Sequence, residues 1–321
     1  MATSLLAVSW PNTMPGDSVD HIDTMINRGR AAAQTIRSLV SQWPTDRDPI
    51  GLVCLPVLAL TGSGAGRRLL QLLPSRPLIA RELAVDLTAP DERLLPIFQT
   101  CSELGVYVAT SAIEVHPAMP DLLFHTGFVI GPSGLVLRSP KLWSRSGPSI
   151  TLLSTILDRY ISVFGHDAIL PVVSTSFGRI GMLVEGEIDQ DDSVCTLTER
   201  NPTIICNPTL RTGEHPTASA DSRLRSVALS TRAVIVSACA SGEIVDDNVG
   251  GWARQPFVAG TSIWSTEGSK VAQAPSIDGA TAWATINGAR QLVQAGAAKT
   301  ETTVQPESVR NSSWSVPGTT A

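Results

Sequence analysis

The sequence predicts an α/β fold in which helix layers cover two packed β-sheets. Short apolar segments typical of buried strands alternate along the 321 residues with amphipathic segments typical of helices. Two further segments, 122–139 and 258–274, contain central turns and are typical of β-hairpins. No internal repeat or long linker interrupts this pattern, and an apolar content of 43% is sufficient for a large core.

The first part of the chain is expected to alternate between strands and helices. Residues 4–10 are typical of a strand, and residues 49–56 are apolar without alternation, as strands buried on both faces are. Between them, residues 17–43 have apolar side chains at helical spacing. A second helix is predicted over residues 89–105, and a strand over residues 106–115 follows it.

The second part of the chain continues the same alternation. Apolar spacing predicts helices over residues 150–163 and 217–233. The expected strands are "AILPVVST", "RIGMLV", "PTIICNP", "VIVSACA" and "TAWATIN". We expect one domain over residues 1–290. The polar, Ser/Thr-rich residues 291–321 are expected to form a C-terminal tail or an arm for oligomerisation.

Composition excludes several classes of function. The net charge of −5 and the absence of a Lys/Arg run argue against nucleic-acid binding. The five scattered cysteines contain no CxxC pair, which argues against a disulfide framework and for a reducing, cytoplasmic compartment. The five histidines form no HxxxH or HxH pattern, so we expect no metal site and no cofactor. No segment approaches the roughly 18 apolar residues that span a bilayer, so we expect no membrane partner.

Three stretches resemble the motifs of one enzyme family in both order and spacing. "LVCLPVLALTG" (52–62), "GLVLRSPKLW" (134–143) and "GRIGMLVEGEI" (178–188) are similar to those of the nitrilase, or carbon–nitrogen hydrolase, superfamily. "CNPT" (206–209) resembles the strand end that follows the family's nucleophile, and the resemblance extends to about residue 287. It implies a four-layer α-β-β-α sandwich and a homodimer or higher homo-oligomer.

The resemblance also implies positions for the family's Glu–Lys–Cys triad. In that triad the thiolate attacks a nitrile or amide carbon, the glutamate acts as base and the lysine stabilises negative charge. The lysine falls on Lys141, but the base falls on Val57 and the nucleophile on Glu185. The acid that follows the nucleophile is kept as Glu187, whereas Ser230 stands where the family's long helix usually has a glutamate. These departures imply that cysteine-dependent hydrolysis of amides or nitriles has been lost.

Lys141 and Glu185 are the candidate catalytic residues. A lysine buried without a carboxylate costs several kcal/mol, and Glu185 returns one carboxylate to the expected pocket. Such a pair suits acid/base chemistry, as a cyclase or in isomerisation, hydration or elimination, on a small carbonyl- or imine-type substrate. The alternative is a buried ion pair in a non-catalytic pseudoenzyme that acts as a binding or assembly protein.

Four further residues are candidates for contact with a small-molecule substrate: Val57, Trp143, Cys206 and His125. Cys206 supports a third hypothesis, in which a displaced thiol retains amidohydrolase activity. Its alternative role is that of a small apolar residue at a strand end. Trp143 belongs either to a pocket wall or to the core. His125 either borders the pocket or is an ordinary loop histidine.

Overall fold

The computed structural model describes most of the chain. The described residues are 2–11, 21–57, 59–60, 81, 83–89, 91–143, 150–211, 217–241, 243–244, 255–256, 260–275, 280–287 and 292–299. The predicted start of the first helix, before residue 21, and the last part of the predicted tail, from residue 300, lie outside this set.

The first sheet has seven strands with a parallel centre. Its strands are β1 (Thr3–Val8), β3 (Ile50–Cys54), β4 (Tyr107–His116), β5 (Met119–Gly131), β6 (Gly134–Pro140), β15 (Ala280–Ile286) and β16 (Leu292–Lys299). The order is β16-β15-β1-β3-β4-β5-β6. The pairs β1–β3 and β3–β4 are parallel, and the outer pairs are antiparallel. The strands predicted over 4–10, 49–56 and 106–115 are therefore confirmed, as is the hairpin over 122–139.

The second sheet also has seven strands, and its centre is parallel too. Its strands are β2 (Trp10–Pro11), β7 (Val173–Thr175), β8 (Gly178–Met182), β9 (Ile204–Thr209), β10 (Val234–Ser241), β13 (Ser262–Trp264) and β14 (Lys270–Gln273). The main path is β14-β13-β10-β9-β8-β7, and β2 pairs with β10. Two short strands, β11 (Glu243–Ile244) and β12 (Gln255–Pro256), pair separately.

Helices cover the outer face of each sheet. They are α1 (His21–Ser41), α2 (Leu95–Leu104), α3 (Leu157–Phe164), α4 (Asp191–Glu199) and α5 (Thr217–Thr231). Apolar residues of α1 and α2 pack on the first sheet, and those of α3, α4 and α5 pack on the second. A third apolar cluster lies between the sheets, because alternate residues of each strand point inward. The predicted four-layer α-β-β-α sandwich is confirmed.

Three elements differ from the sequence-based expectation. The first sheet continues past the predicted boundary at residue 290, because β16 pairs with β15 along its whole length. Most side chains of β16 are exposed or half-exposed, as is usual for an edge strand. The helix predicted over 150–163 is a 3₁₀ turn at Leu153–Thr155 followed by α3, because the backbone leaves the helical conformation at Ile156. Helix α4 was not predicted, although its two first-turn aspartates are a common N-terminal signal.

Gly127 of β5 lies against the end of β8 and the start of the following segment, across the interface between the two sheets. A Cβ atom added there would lie 2.6 Å from Val184 Cγ2 and 3.1 Å from Met182 Cε. We expect Gly127→Ala to lower the free energy of unfolding by about 1–3 kcal/mol, as overpacking usually does. Gly186→Ala is the matched control, because its new Cβ would meet only Asp189 Oδ2 at 3.8 Å. Urea denaturation of both variants measures the difference, and equal stabilities would contradict the close approach.

Candidate active site

The site forms where strands of both sheets end on the same side of the sandwich. Lys141 directly follows β6, and its backbone N–H donates to the carbonyl of His125 in β5 at 2.8 Å. Glu185 follows β8 of the other sheet. Lys141 Nζ donates to Glu185 Oε2 at 2.5 Å, and His125 Nδ1 lies 3.8 Å from the same oxygen. The structure thus brings three of the candidate residues together across the interface between the sheets.

Glu185 is held in an uncommon backbone conformation. Its φ is 52°, in the left-handed region that costs a non-glycine residue about 1–2 kcal/mol. Residues 183–187, which we call the elbow, pass here from β8 into a 3₁₀ helix over Glu185–Asp189. Asn207 supports the elbow from β9, because its Nδ2 donates to the carbonyls of Leu183 at 2.7 Å and Glu185 at 3.3 Å. The hydroxyl of Ser237 donates to Asn207 Oδ1 at 3.1 Å.

Replacement of Asn207 tests how the elbow is held. We expect Asn207→Ala to lower the free energy of unfolding by about 2–3 kcal/mol, because two buried carbonyls and the Ser237 hydroxyl lose their partner. Asn27→Ala on the exposed face of α1 is the control and should change stability by less than about 0.5 kcal/mol. Guanidinium denaturation compares the two variants. Similar effects of both substitutions would show that Asn207 does not support the elbow.

Glu187 joins the elbow to the segment that carries the lysine. Its Oε1 accepts from the backbone N–H of Leu142 at 2.6 Å, and its Oε2 accepts from that of Val184 at 2.8 Å. Burial raises the pKa of Glu187 to about 7, although the Lys141 charge and the backbone hydrogen bonds, including one from Trp143, oppose this shift. The carboxyl therefore fixes two backbone segments relative to each other and titrates near neutral pH.

The charges in the site are set by burial and by the Lys141–Glu185 pair. Lys141 is 3% exposed, whereas the side chain of Glu185 keeps 17% exposure. Burial by itself raises the pKa of Glu185, but the charges of Lys141 and His125 and the Lys141 hydrogen bond together bring it below its ordinary value. Glu185 is therefore ionised at neutral pH and is the more accessible member of the pair.

His125 is neutral and fixed in position. Burial lowers the pKa of its imidazole to about 4, with Glu185 opposing and Lys141 adding to the shift. The hydroxyl of Ser111 lies 3.0 Å from His125 Nε2, within hydrogen-bond distance. Ser111, His125, Glu185 and Lys141 therefore form a continuous row of polar side chains from the core to the partly exposed carboxylate.

The remaining candidate residues occupy different environments. Val57 is fully buried in the apolar cluster between the first sheet and its helices. Trp143 is 39% exposed, and its backbone donates to Glu187, so its ring belongs to the surface next to the site. Val57 and Trp143 are each the last residue of a range that the structure describes, because residues 58 and 144–149 are not described.

The expectation that Cys206 lines the pocket is corrected by the structure. Cys206 is fully buried in the apolar cluster between the sheets, which also contains Cys54 of β3. The alternation of β9 explains this, because Cys206 points between the sheets while the next residue, Asn207, reaches the elbow. The sequence analysis missed Asn207. A polar residue at the end of the apolar segment "IIC" was the signal that could have identified it.

The described residues contain no group of three or more His, Cys, Asp or Glu side chains placed to hold a metal ion. No helix in the described part of the chain is both long and apolar enough to cross a bilayer. The partly exposed carboxylate of Glu185 beside the ammonium of Lys141 is an arrangement suited to proton transfer and to the stabilisation of an oxyanion by Lys141.

Comparison with solved structures defines the class to which this fold belongs. Nit3 of Saccharomyces cerevisiae, a member of branch 10 of the nitrilase superfamily, matches with a TM-score of 0.63 at 11% identity, over 88% of this chain and 89% of that one. A carbon–nitrogen hydrolase of Helicobacter pylori matches with a TM-score of 0.63 at 11% identity, over 90% and 91%. An amidase of Nesterenkonia sp. matches with a TM-score of 0.59 at 14% identity, over 90% of each chain.

These matches establish the fold of the chain. No family model matches the sequence, and no curated protein matches it. The chain therefore has the nitrilase, or carbon–nitrogen hydrolase, fold that its three motifs imply, with a sequence far from those of the solved structures. Within this fold, a glutamate stands at the elbow and is paired with a buried lysine.

Proposed function

We propose that the protein is an enzyme that performs acid/base chemistry on a small carbonyl- or imine-type substrate with Glu185 and Lys141. By the motif resemblance, Glu185 replaces the cysteine nucleophile and Val57 replaces the glutamate base, so thiol-dependent hydrolysis of amides or nitriles is not the activity we propose. A carboxylate is a poor nucleophile toward unactivated amides, but it is an effective base. Cyclisation, isomerisation, hydration and elimination all require such a base.

The conformation of Glu185 carries this proposal. A glutamate at φ 52° is strained, and a buried network of Asn207 and Ser237 holds it there. Strained residues of this kind occur most often at functional sites, where the surrounding structure maintains them. A non-catalytic relic could relieve the strain by any substitution that lets the elbow relax. The strained elbow persists, and its carboxylate is partly exposed. Both features support a functional role for Glu185.

The geometry assigns a role to each group. Glu185 is ionised at neutral pH and accepts a proton from the substrate or from water. Lys141 Nζ lies 2.5 Å from Glu185 Oε2. As negative charge develops on a substrate oxygen, this ammonium group donates a hydrogen bond to that oxyanion. His125 is a positioning residue, because the buried, neutral imidazole lies 3.8 Å from Glu185 Oε2 and limits the movement of that carboxylate. Glu187 fixes the backbone on both sides of the pair.

A non-catalytic binding or assembly protein is the second candidate. One observation favours it: the lysine and the carboxylate already satisfy each other at 2.5 Å, as in a structural ion pair. The third candidate, amidohydrolase activity through Cys206, is weakened by the complete burial of that thiol. For either function we propose a cytoplasmic homodimer or higher homo-oligomer. Exposed Leu229 of α5 and Val163 of α3 on the outer helix layers support such an assembly.

Activity of the purified chain tests the proposal. We expect turnover of at least one member of a panel of small carbonyl and imine substrates, and Glu185→Gln should lower kcat about 100-fold or more. Glu103→Gln is the matched control, because it makes the same chemical change in an exposed ion pair with Arg37. An active chain in which both variants retain full kcat would exclude Glu185 as the base. Binding of panel members without turnover would support the second candidate.

A further inference from the structure

A cavity of about 480 Å³ lies away from the Lys141–Glu185 pair, between edge strand β6 of the first sheet and edge strand β7 of the second. We call it the lateral cavity, and it is within the size range of small-molecule sites. Its lining includes His116, Val136, Arg138, Tyr160, Phe164 and Val172. None of them belongs to the site described above.

The polar side chains of the lateral cavity converge as hydrogen-bond donors. Arg138 Nη1 donates to the hydroxyl oxygen of Tyr160 at 3.2 Å, which leaves the Tyr160 O–H free to donate elsewhere. Arg138 Nη2 is buried and has no hydrogen-bond partner in the described part of the structure. His116 Nδ1 accepts from the backbone N–H of Ala118 at 3.0 Å, so the neutral ring carries its proton on Nε2.

The carboxylate nearest to these donors is already engaged. Glu114 is fully buried behind Arg138, where Oε1 accepts from Arg138 Nε and Oε2 accepts from the Thr126 hydroxyl at 2.5 Å. Burial raises the pKa of Glu114, whereas Arg138 and Thr126 oppose that rise. Burial and the Arg138 charge lower the pKa of His116, with Asp86 opposing, so that the imidazole is uncharged at neutral pH. The described residues that line the lateral cavity therefore offer hydrogen-bond donors, and none of them is a carboxylate.

We propose that the lateral cavity is a binding site for a small organic monocarboxylate with an apolar body. Arg138 Nη2, Tyr160 O–H and His116 Nε2–H supply donors for the carboxylate oxygens. Phe164, Val136 and Val172 supply an apolar wall, and the His116 and Phe164 rings already pack edge to face with centroids 4.7 Å apart. A dianion fits less well, because Glu114 already offsets the Arg138 charge.

Binding of benzoate to the full chain tests this inference. We expect saturable binding by ligand-observed NMR, and benzamide should bind about tenfold or more weakly because it lacks the anionic oxygen pair. Val136→Trp fills the lateral cavity without touching the Arg138–Glu114 pair and should weaken benzoate binding about tenfold or more. Tyr160→Phe removes one hydrogen-bond donor while keeping the ring, and should weaken benzoate binding severalfold.

The double variant Lys141→Met with Glu185→Gln separates the two sites, because it removes both charges of the pair and leaves every residue of the lateral cavity unchanged. Its affinity for benzoate should equal that of the wild type. Loss of binding in this double variant, or unchanged binding in Val136→Trp, would place benzoate elsewhere and overturn the inference. Equal affinities for benzoate and benzamide would overturn the carboxylate specificity. Absence of benzoate binding to the wild-type chain would overturn the site itself, whereas the proposed acid/base activity would be unaffected.

Discussion

Lys141→Met is expected to lower the free energy of unfolding by about 3–5 kcal/mol at pH 8, because it leaves Glu185 charged and unpaired. The cost should depend on pH. In the wild type the pKa of Glu185 is lowered, so its stabilising contribution is present above the unfolded pKa near ~4.3 and is lost as the pH falls. In the variant burial dominates and raises that pKa, so stability is lost as the pH rises.

A second substitution separates the pair from its surroundings. Lys141→Met combined with Glu185→Gln removes both charges, and we expect its stability to return to within about 1 kcal/mol of the wild type at pH 8. Lys270→Met is the matched control, since its partner Asp221 is more exposed and the pair should contribute at most about 1 kcal/mol. Chemical denaturation at pH 5 and pH 8 measures the free energy of unfolding of the wild type and of each variant. A cost for Lys141→Met that is independent of pH would contradict this account of the pair.

The same double variant separates catalysis from structure. If it folds with nearly wild-type stability but has no turnover, the pair is retained for chemistry rather than for the fold. If wild type and double variant bind the same small molecules equally well and neither turns them over, the pair is structural. A buried ion pair is by itself weak evidence for stability, so stability and activity must be measured on the same protein.

Glu187→Gln is expected to lower the free energy of unfolding by about 2–4 kcal/mol at pH 5. Glutamine has a single acceptor oxygen, so the backbone N–H of either Leu142 or Val184 loses its partner and faces an amide N–H₂ instead. The native pKa of Glu187 is raised to about 7 from 4.5. Its contribution is therefore fully present below the unfolded pKa and is lost as the pH rises through about 7.

The stability difference between wild type and Glu187→Gln should therefore narrow with rising pH. At about 1.4 kcal/mol per pKa unit, it should shrink by about 3 kcal/mol between pH 4.5 and pH 8. Glu103→Gln, in which an exposed carboxylate is lost, should show no such trend through pH 7. Chemical denaturation at several pH values in this range measures how the difference in the free energy of unfolding changes with pH. A difference that widens toward pH 8 would mean that the backbone hydrogen bonds, not burial, dominate the titration of Glu187.

Much of the fold could be predicted from apolar patterning. Strands buried on both faces read as continuous apolar segments, and β1, β3, β9 and β10 were located in this way. Strand β16 was missed because its side chains are mostly solvated, whereas pairing with β15 and packing of Leu292 on the apolar cluster between the sheets place it in the first sheet. Helix α4 was missed because its apolar residues are few and gain their burial from tertiary packing.

The candidate site was predictable only in part. The motif resemblance identified Lys141 and Glu185, and the structure brings their charged atoms together from different sheets. Local sequence alone did not decide whether Cys206 or its polar neighbour Asn207 faces the site. One residue points between the sheets and the other supports the elbow, which depends on the strand's orientation. The contact of Ser111 with His125 depends on strand pairing that no local pattern records.

Local sequence was enough to predict most of the strands and helices and to identify the chemical groups of the site. Apolar periodicity decides the first, and residue identity decides that a lysine and two glutamates, rather than a thiol, stand at the strand ends. The tertiary structure alone decided how those groups are charged and held. The strained φ of Glu185, the neutral His125 and the raised pKa of Glu187 all arise from burial and from partners distant in the chain. Those quantities depend on which atoms pack together, and only folding establishes that.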